Sequence, residues 1–275
     1  MLKKLIKHEL RATGRVMLPM LGVVLALSVI SALSMRFSGL REGFFPAMIT
    51  VLTVAAYFLS LLAAGVLCLV IMIRRFYRNL LGDEGYVVMT LPVSLHSQLW
   101  AKLLVSLLWI ITTGLVMVLA VSTTVFIVSE TNVAAIFSRL PSLGELFDGI
   151  GEELGLLRGH VTVLSLTWVL VALATTLESC LHFYAAMAIG HSFARHKGLW
   201  SVVFFVVINF ALSMLGGALA MFGVALPSMG KLALYNSASA FVYTFSFGML
   251  LYVVLIGGLL YLLTYLFMKK HLNLP

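Results

Sequence analysis

Charged residues and cysteines are both scarce in this chain. Asp, Glu, Lys and Arg together make up 10% of the 275 residues, whereas 62% are hydrophobic. Soluble domains carry about 25% charged residues, so this composition excludes an ordinary water-soluble domain. The only two cysteines, Cys68 and Cys180, lie within long apolar stretches, which implies buried thiols and no disulfide framework.

The short motifs of common catalytic sites are also missing. The seven histidines form no HExxH pattern, and neither GxSxG nor the phosphate-binding GxxxxGK[ST] occurs. His191 and His196 are close together in a short loop, but no acidic residue accompanies them as a further metal ligand. We therefore predict a non-enzymatic chain without a cofactor or metal site of its own. Any ATP that it uses must be bound by another chain.

Six apolar stretches occupy most of the chain instead. Each is long enough to cross a bilayer, which takes about 20 apolar residues in a helix. The predicted fold class is an all-α integral membrane protein with six transmembrane helices, forming a single domain over residues 1–275 with no nucleotide-binding domain. The predicted spans are 16–35, 47–73, 101–128, 161–190, 199–226 and 240–268.

The basic residues indicate how these spans are oriented. Thirteen of the 18 Lys and Arg residues fall on one side of the predicted topology and five fall on the other. The richer side is cytoplasmic by the positive-inside rule, so we predict that both termini are cytoplasmic. Topology and contact with lipid headgroups then explain the basic charge, and no nucleic-acid partner is invoked.

Residues 2–13 form an amphipathic pattern ahead of the first span. Leucine and isoleucine side chains fall on one helical face and basic side chains fall on the other. This pattern favours a helix that lies in the cytoplasmic membrane interface. An ordinary solvated basic N-terminus is the alternative.

Three polar residues within the spans form a possible intramembrane site. Glu178 is the only acidic residue in any predicted span, and His182 follows one turn later on the same face. A charge at that depth is costly, so Glu178 should face the bundle interior or a wet cavity. There it would contact cargo, respond to protons or lie at a dimer interface; alternatively, it is a protonated carboxyl bonded to His182 or to Thr175 and Thr176. For Asn209 we expect an interhelical hydrogen bond.

The connection between the second and third spans is the longest on the cytoplasmic side. We predict that the second helix continues to Leu81 and that Gly82 serves as its C-cap. Asp83 and Glu84 follow directly, and Ser94 is a candidate N-cap for the third helix. The acidic external connection, by contrast, is expected to form short surface helices.

The segment NLLGDEGYVVMTLPVSLHSQLWAKLLV, residues 79–105, contains an acidic-Glu-Gly-Tyr group, a Thr-Leu-Pro-Val-Ser run and a lysine that opens the third helix. In this order the groups resemble a stretch typical of small permeases of the type-two ATP-binding-cassette (ABC) transporter family. Residues 191–198 and 268–274 are similar to other segments of those permeases. The motif residues are Asp83, Glu84, Gly85, Tyr86, Thr90, Leu91, Pro92, Val93, Ser94 and Lys102.

This resemblance implies the permease subunit of an ABC exporter in the bacterial plasma membrane. Such permeases pair with a second permease, identical or related, and bind two copies of a separate ATPase, which holds ATP and Mg. The cargo would be hydrophobic or amphipathic, such as an antimicrobial peptide, a lipid or a drug. The implied contact with the ATPase is carried by Phe76, Tyr77, Arg78, Asp83 and Glu84.

A second class of function needs no ATPase. The chain would then be a channel, an intramembrane enzyme or a component of a sensor. Glu178 and His182 would be its functional centre.

Overall fold

The computed structural model describes residues 2–40, 43–82, 93–129, 158–193, 195–228 and 238–270, together with five single residues between them. Within these residues the chain is all-helical, with six helices long and apolar enough to span a membrane, as predicted. The predicted spans lie inside them. The helices are α1 (Leu2–Leu40), α2 (Phe44–Phe76), α3 (Leu95–Val128), α4 (Arg158–Gly190), α5 (Lys197–Ser228) and α6 (Ala238–Lys270).

Helix α1 differs from its prediction because it has no turn between the amphipathic segment and the first span. It runs unbroken from Leu2 to Leu40 and continues through Pro19. Ile6 and Leu10, on the apolar face of the N-terminal segment, pack against a buried cluster of the protein itself. The structure therefore does not show a separate interfacial helix, because that apolar face already has a protein partner.

The helices form two compact units of three helices each. One comprises Met1–Phe76 and Pro92–Leu140, and the other comprises Tyr77–Leu91 and Pro141–Pro275. In the first unit, α1 packs against both α2 and α3. Its core is a cluster of Met17, Leu21, Cys68, Met72, Val105 and Trp109.

In the second unit, α4 is the central helix, and both α5 and α6 pack against it. The C-terminal half of α4 is buried and rich in alanine, including Ala185 and Ala188 at 0% exposure. Small residues allow the backbones of membrane helices to approach closely. At Gly190 the approach is so close that an added Cβ atom would lie 2.6 Å from the Cα atom of Ser201 on α5.

The outward surface of the helices is strongly apolar. Val202, Phe210 and Met221, all on α5, are 63%, 65% and 77% exposed. A lipid environment solvates such side chains without cost, whereas water does not. The chain is therefore a membrane protein.

Candidate functional site

The segment after α2 begins with a π-helical turn, Tyr77–Leu81. The N–H of Gly82 closes it by donating to the carbonyl of Tyr77 at 2.9 Å, and a Cβ atom at Gly82 would lie 3.1 Å from the carbonyl oxygen of Arg78. The predicted continuation to Leu81 is confirmed, with a wider turn than an α-helix has. Gly82 is not among the described glycines with a positive φ, so it does not form the left-handed C-cap that was predicted. Such π-turns often occur at functional sites.

This turn separates the predicted ATPase contacts into buried and exposed residues. Phe76 is 1% exposed, so its side chain belongs to the protein core and cannot anchor a partner directly. Tyr77 is 45% exposed and Arg78 is also exposed. Asp83 and Glu84 lie outside the described residues. Of the described candidates, Tyr77 and Arg78 are therefore the two with exposed side chains.

A buried ion cluster, which we call the Glu9 cluster, joins α1 to α2 and α3. The Glu9 carboxylate accepts from Arg75 at 2.7 Å and 2.9 Å and from Lys102 at 2.9 Å. Lys102 is only 8% exposed and Glu9 only 16% exposed. Two cations close to one carboxylate favour its ionised form, and the carboxylate in turn compensates for the burial of Lys102.

The Glu9 cluster lies at both ends of the connection between α2 and α3. Arg75 belongs to the last turn of α2, and Lys102 lies near the start of α3. The start of α3 is itself capped, because the Ser94 hydroxyl accepts from the N–H of Ser97 at 3.3 Å, as predicted. Glu9 therefore holds together the two helices between which the connection runs.

A second polar link holds α1 to α3 one turn deeper. The Trp109 indole N–H donates to the hydroxyl of Thr13 at 2.7 Å, and that hydroxyl donates to the carbonyl of Glu9 at 2.8 Å. Thr13 is 2% exposed. A buried hydroxyl with both a donor and an acceptor partner has no unmet hydrogen bond, so this link adds stability without a desolvation penalty.

Sequence reasoning missed Glu9, although a signal for it exists. Ile6, Glu9, Thr13 and Met17 recur at intervals of three or four residues and therefore share one helical face. Met17 is part of the buried cluster, so an acidic residue on the same face requires a cationic partner. The segment has many basic residues, so its polar face was interpreted as solvated and the single acidic residue was not singled out.

The predicted intramembrane residues Glu178, His182 and Asn209 line one cleft in the second unit. Its volume is about 330 Å³, and α4, α5 and α6 each contribute to its walls. Tyr252 of α6 donates from its hydroxyl to the carbonyl of Leu212 on α5 at 3.1 Å. The other lining residues are Ser179, Ser213, Val253 and Ile256.

The alternative hydrogen-bond partners expected for Glu178 are not used. The hydroxyls of Thr175 and Thr176 donate to carbonyls of their own helix, both at 2.8 Å. The Glu178 carboxylate lies 4.0 Å from Nδ1 of His182, which is too long for a hydrogen bond. Within the described residues, the carboxylate thus has no hydrogen-bond donor. For Asn209 the described bond is within its own helix, since its side-chain oxygen accepts from Ser213 at 3.4 Å.

The loop after α4 contains a buried histidine. His191 is 2% exposed, its Nδ1 lies 2.9 Å from the carbonyl of Met187, and its ring stands edge-on to Tyr77 at 5.2 Å. Its Nε2 atom is buried and has no hydrogen-bond partner in the described part of the protein. Burial lowers the pKa of His191, and the nearby Lys197 acts in the same direction, against the bond to Met187.

The described residues contain no group of three or more His, Cys, Asp or Glu side chains that could hold a metal ion. The chain matches no protein-family model, no curated protein and no solved structure. Inferences about function therefore depend on the segment after α2, the Glu9 cluster and the cleft.

Proposed function

We propose that this chain is the permease subunit of an ABC exporter, moving a hydrophobic or amphipathic cargo with ATP hydrolysed by a separate subunit. The observation that carries the proposal is the segment 79–105, whose residues resemble the coupling region of such permeases. Six membrane-spanning helices and the lack of a nucleotide-binding motif are consistent with it. ATP and Mg then belong to the partner ATPase.

The geometry around this segment supports a role in transmitting force. A partner seated on the exposed Tyr77 and Arg78 would have an aromatic and an arginine anchor, which are favoured residue types at interfaces. Directly before them, Arg75 is bonded to Glu9, and Glu9 is bonded to Lys102. A displacement of the end of α2 or of the start of α3 would therefore move α1, α2 and α3 together. A switch between two rigid arrangements requires such a joint movement.

The proposal includes the topology and the partners. Both termini face the cytoplasm of a bacterial cell, two ATPase copies bind on that side, and a second permease completes the complex in the plasma membrane. The exporting direction follows from the family resemblance.

The test is recovery of partners from native cells. The full-length chain is solubilised in mild detergent and captured, and the bound proteins are identified by mass spectrometry. We expect an ATPase subunit at near-equal stoichiometry. Capture of the intact, folded chain without an ATPase would overturn the proposal.

Variants locate the contact. Arg78→Glu and the double change Asp83→Lys with Glu84→Lys should each lower ATPase recovery about tenfold or more, as the loss of an interface anchor does. Arg36→Glu reverses an exposed charge on the opposite side of the predicted topology and serves as the matched control, with no expected effect. Phe76→Ala should instead lower thermal stability, because this side chain is buried.

The cleft favours a second candidate, an ATPase-independent channel, intramembrane enzyme or sensor component centred on Glu178 and His182. A carboxylate without a donor, deep in a spanning helix, is a functional-site hypothesis by itself. This candidate predicts that activity survives charge reversal at Asp83 and Glu84 and is lost in Glu178→Gln. The exporter predicts loss in the charge-reversed variant.

A further inference from the structure

We infer that the cleft between α4, α5 and α6 binds the ammonium group of an amphipathic cargo, with Glu178 as its counter-ion. This inference rests on the proposed function and names the chemical class of its cargo.

The first observation is that the acidic group of the cleft has no hydrogen-bond donor. The Glu178 carboxylate is 18% exposed and has no hydrogen-bond donor among the described residues. Asn209 adds a side-chain oxygen from α5, which accepts one bond from Ser213 and retains a second lone pair. A buried carboxylate requires compensation by a cation or by several donors. The space in front of Glu178 therefore favours a group with several N–H donors.

His182 adds to this excess of acceptors. Its Nε2 lies 3.3 Å from the carbonyl oxygen of Phe205, and because a carbonyl only accepts, Nε2 carries the proton. In the neutral ring Nδ1 then has a lone pair, and this atom is the one that faces Glu178 at 4.0 Å. A donor bonded to the Glu178 carboxylate would then also lie within reach of this nitrogen. A primary ammonium group has three donors and a positive charge.

The depth of the cleft explains why such a ligand would be specific. Glu178 and Asn209 each lie about 18 Å from the nearer end of their helices, and the bilayer core is about 30 Å thick. At this depth an ion pair is screened very little by water. A neutral ligand would leave the carboxylate uncompensated, so the site discriminates by charge.

The remaining walls suit the apolar body of the ligand. Leu212, Val253 and Ile256 line the cleft beside the polar groups, and its volume of about 330 Å³ is in the range of small-molecule sites. A metal ion is a poorer fit, because the described part of the chain has no cluster of three ligating side chains there. An alkylamine, or the lysine-bearing end of a lipopeptide, has an ammonium group for the polar side of the cleft and an apolar body for its apolar side.

The experiment measures binding of a fluorescent amine to the full-length chain in lipid nanodiscs. The probe is dansylcadaverine, a primary amine on an apolar fluorophore, and N-pentyl dansylamide is its neutral counterpart. Nanodiscs without protein give the partition background. We expect saturable binding of the amine to the wild type, and at least about tenfold weaker binding of the neutral probe.

Variants assign this preference to the cleft. Glu178→Gln should weaken amine binding about tenfold or more and leave the neutral probe unchanged, while Asn209→Ala should weaken it by a smaller factor. Glu152→Gln makes the same change at an exposed position and should have no effect. Because Glu178→Gln removes a charge from the membrane interior, its thermal stability should not fall, so weaker binding would not reflect misfolding.

Equal affinity of Glu178→Gln and wild type for the amine would overturn the inference, as would equal affinity of the wild type for both probes. The Glu178→Gln variant is also captured from cells with its partners. If an ATPase is recovered from cells but the wild-type chain shows no preference for the amine probe, only the cleft assignment is contradicted. A preference for the amine without any recovered ATPase contradicts the exporter assignment alone.

Discussion

The Glu9 carboxylate and the Lys102 ammonium are joined at 2.9 Å across 93 positions of the chain. Lys102 is among the few charged side chains buried in the described part of the structure, at 8% exposure. Burial of a lysine is tolerated only with a paired charge. Glu9 supplies that charge. The same carboxylate also pairs with Arg75, which links α1 to the end of α2.

Loss of the Glu9 charge should destabilise the first unit. We expect Glu9→Gln to lower the free energy of unfolding by about 3 kcal/mol, because it leaves Lys102 buried without a counter-ion. Detergent or thermal unfolding of the purified chain measures this change. Lys4→Gln removes an exposed charge from the same helix and should shift the unfolding midpoint little.

The double variant of Glu9→Gln with Lys102→Met tests whether the two charges act as a pair. Since it removes both charges, it should be more stable than the sum of the two single changes predicts, by at least about 1 kcal/mol. Additive effects would show that the pair contributes no coupling energy.

The Trp109 indole should contribute through one hydrogen bond. Trp109→Phe keeps most of the buried ring but leaves Thr13 without its donor, so we expect a loss of about 1 kcal/mol in unfolding free energy. Trp168 is 44% exposed, and Trp168→Phe is the matched control. An equal, small shift in both variants would argue against the Thr13 link.

Gly190 should tolerate no side chain. Its Cβ position is 2.5 Å from the backbone nitrogen of Ser201, so Gly190→Ala forces α4 and α5 apart and should cost about 1–3 kcal/mol of stability. At Gly217 a Cβ atom would meet no atom within 4 Å, and Gly217→Ala should be neutral or slightly stabilising. Thermal unfolding of the two variants compares them directly, and similar midpoints would contradict the close approach.

His191 should make stability depend on pH. Burial lowers the pKa of His191 in the folded state, while in the unfolded chain the pKa is about 6.5. Below the pKa of the unfolded state, the unfolded chain binds a proton at His191 that the folded chain does not bind. The stabilising contribution of this residue is therefore fully present above about pH 6.5 and falls as the pH decreases below that value. Unfolding measured from pH 8 to pH 5 should show this fall.

The variant His191→Phe keeps an aromatic ring beside Tyr77 but cannot titrate. Its stability should therefore fall less steeply with decreasing pH than that of the wild type. His8→Phe, at an exposed position, should retain the wild-type slope. An unchanged slope in His191→Phe would mean that other groups carry the pH dependence.

The six long apolar helices of the described residues and the ends of the connection between α2 and α3 were predictable from the sequence. Hydropathy over about 20 residues is a local property, and the N-cap role of Ser94 depends on neighbours a few residues away. The periodicity that puts His182 one turn after Glu178 is local as well, so their common face was also predictable.

The tertiary structure alone decided which helical faces meet. The amphipathic pattern of residues 2–13 suits a membrane surface and a protein partner equally well, and only the packing of Ile6 and Leu10 distinguishes them. In the same way, Phe76 is buried while Tyr77 is exposed, and Glu9 meets Arg75 and Lys102. These outcomes depend on contacts between residues far apart in the chain, which no local pattern of hydrophobicity or charge specifies.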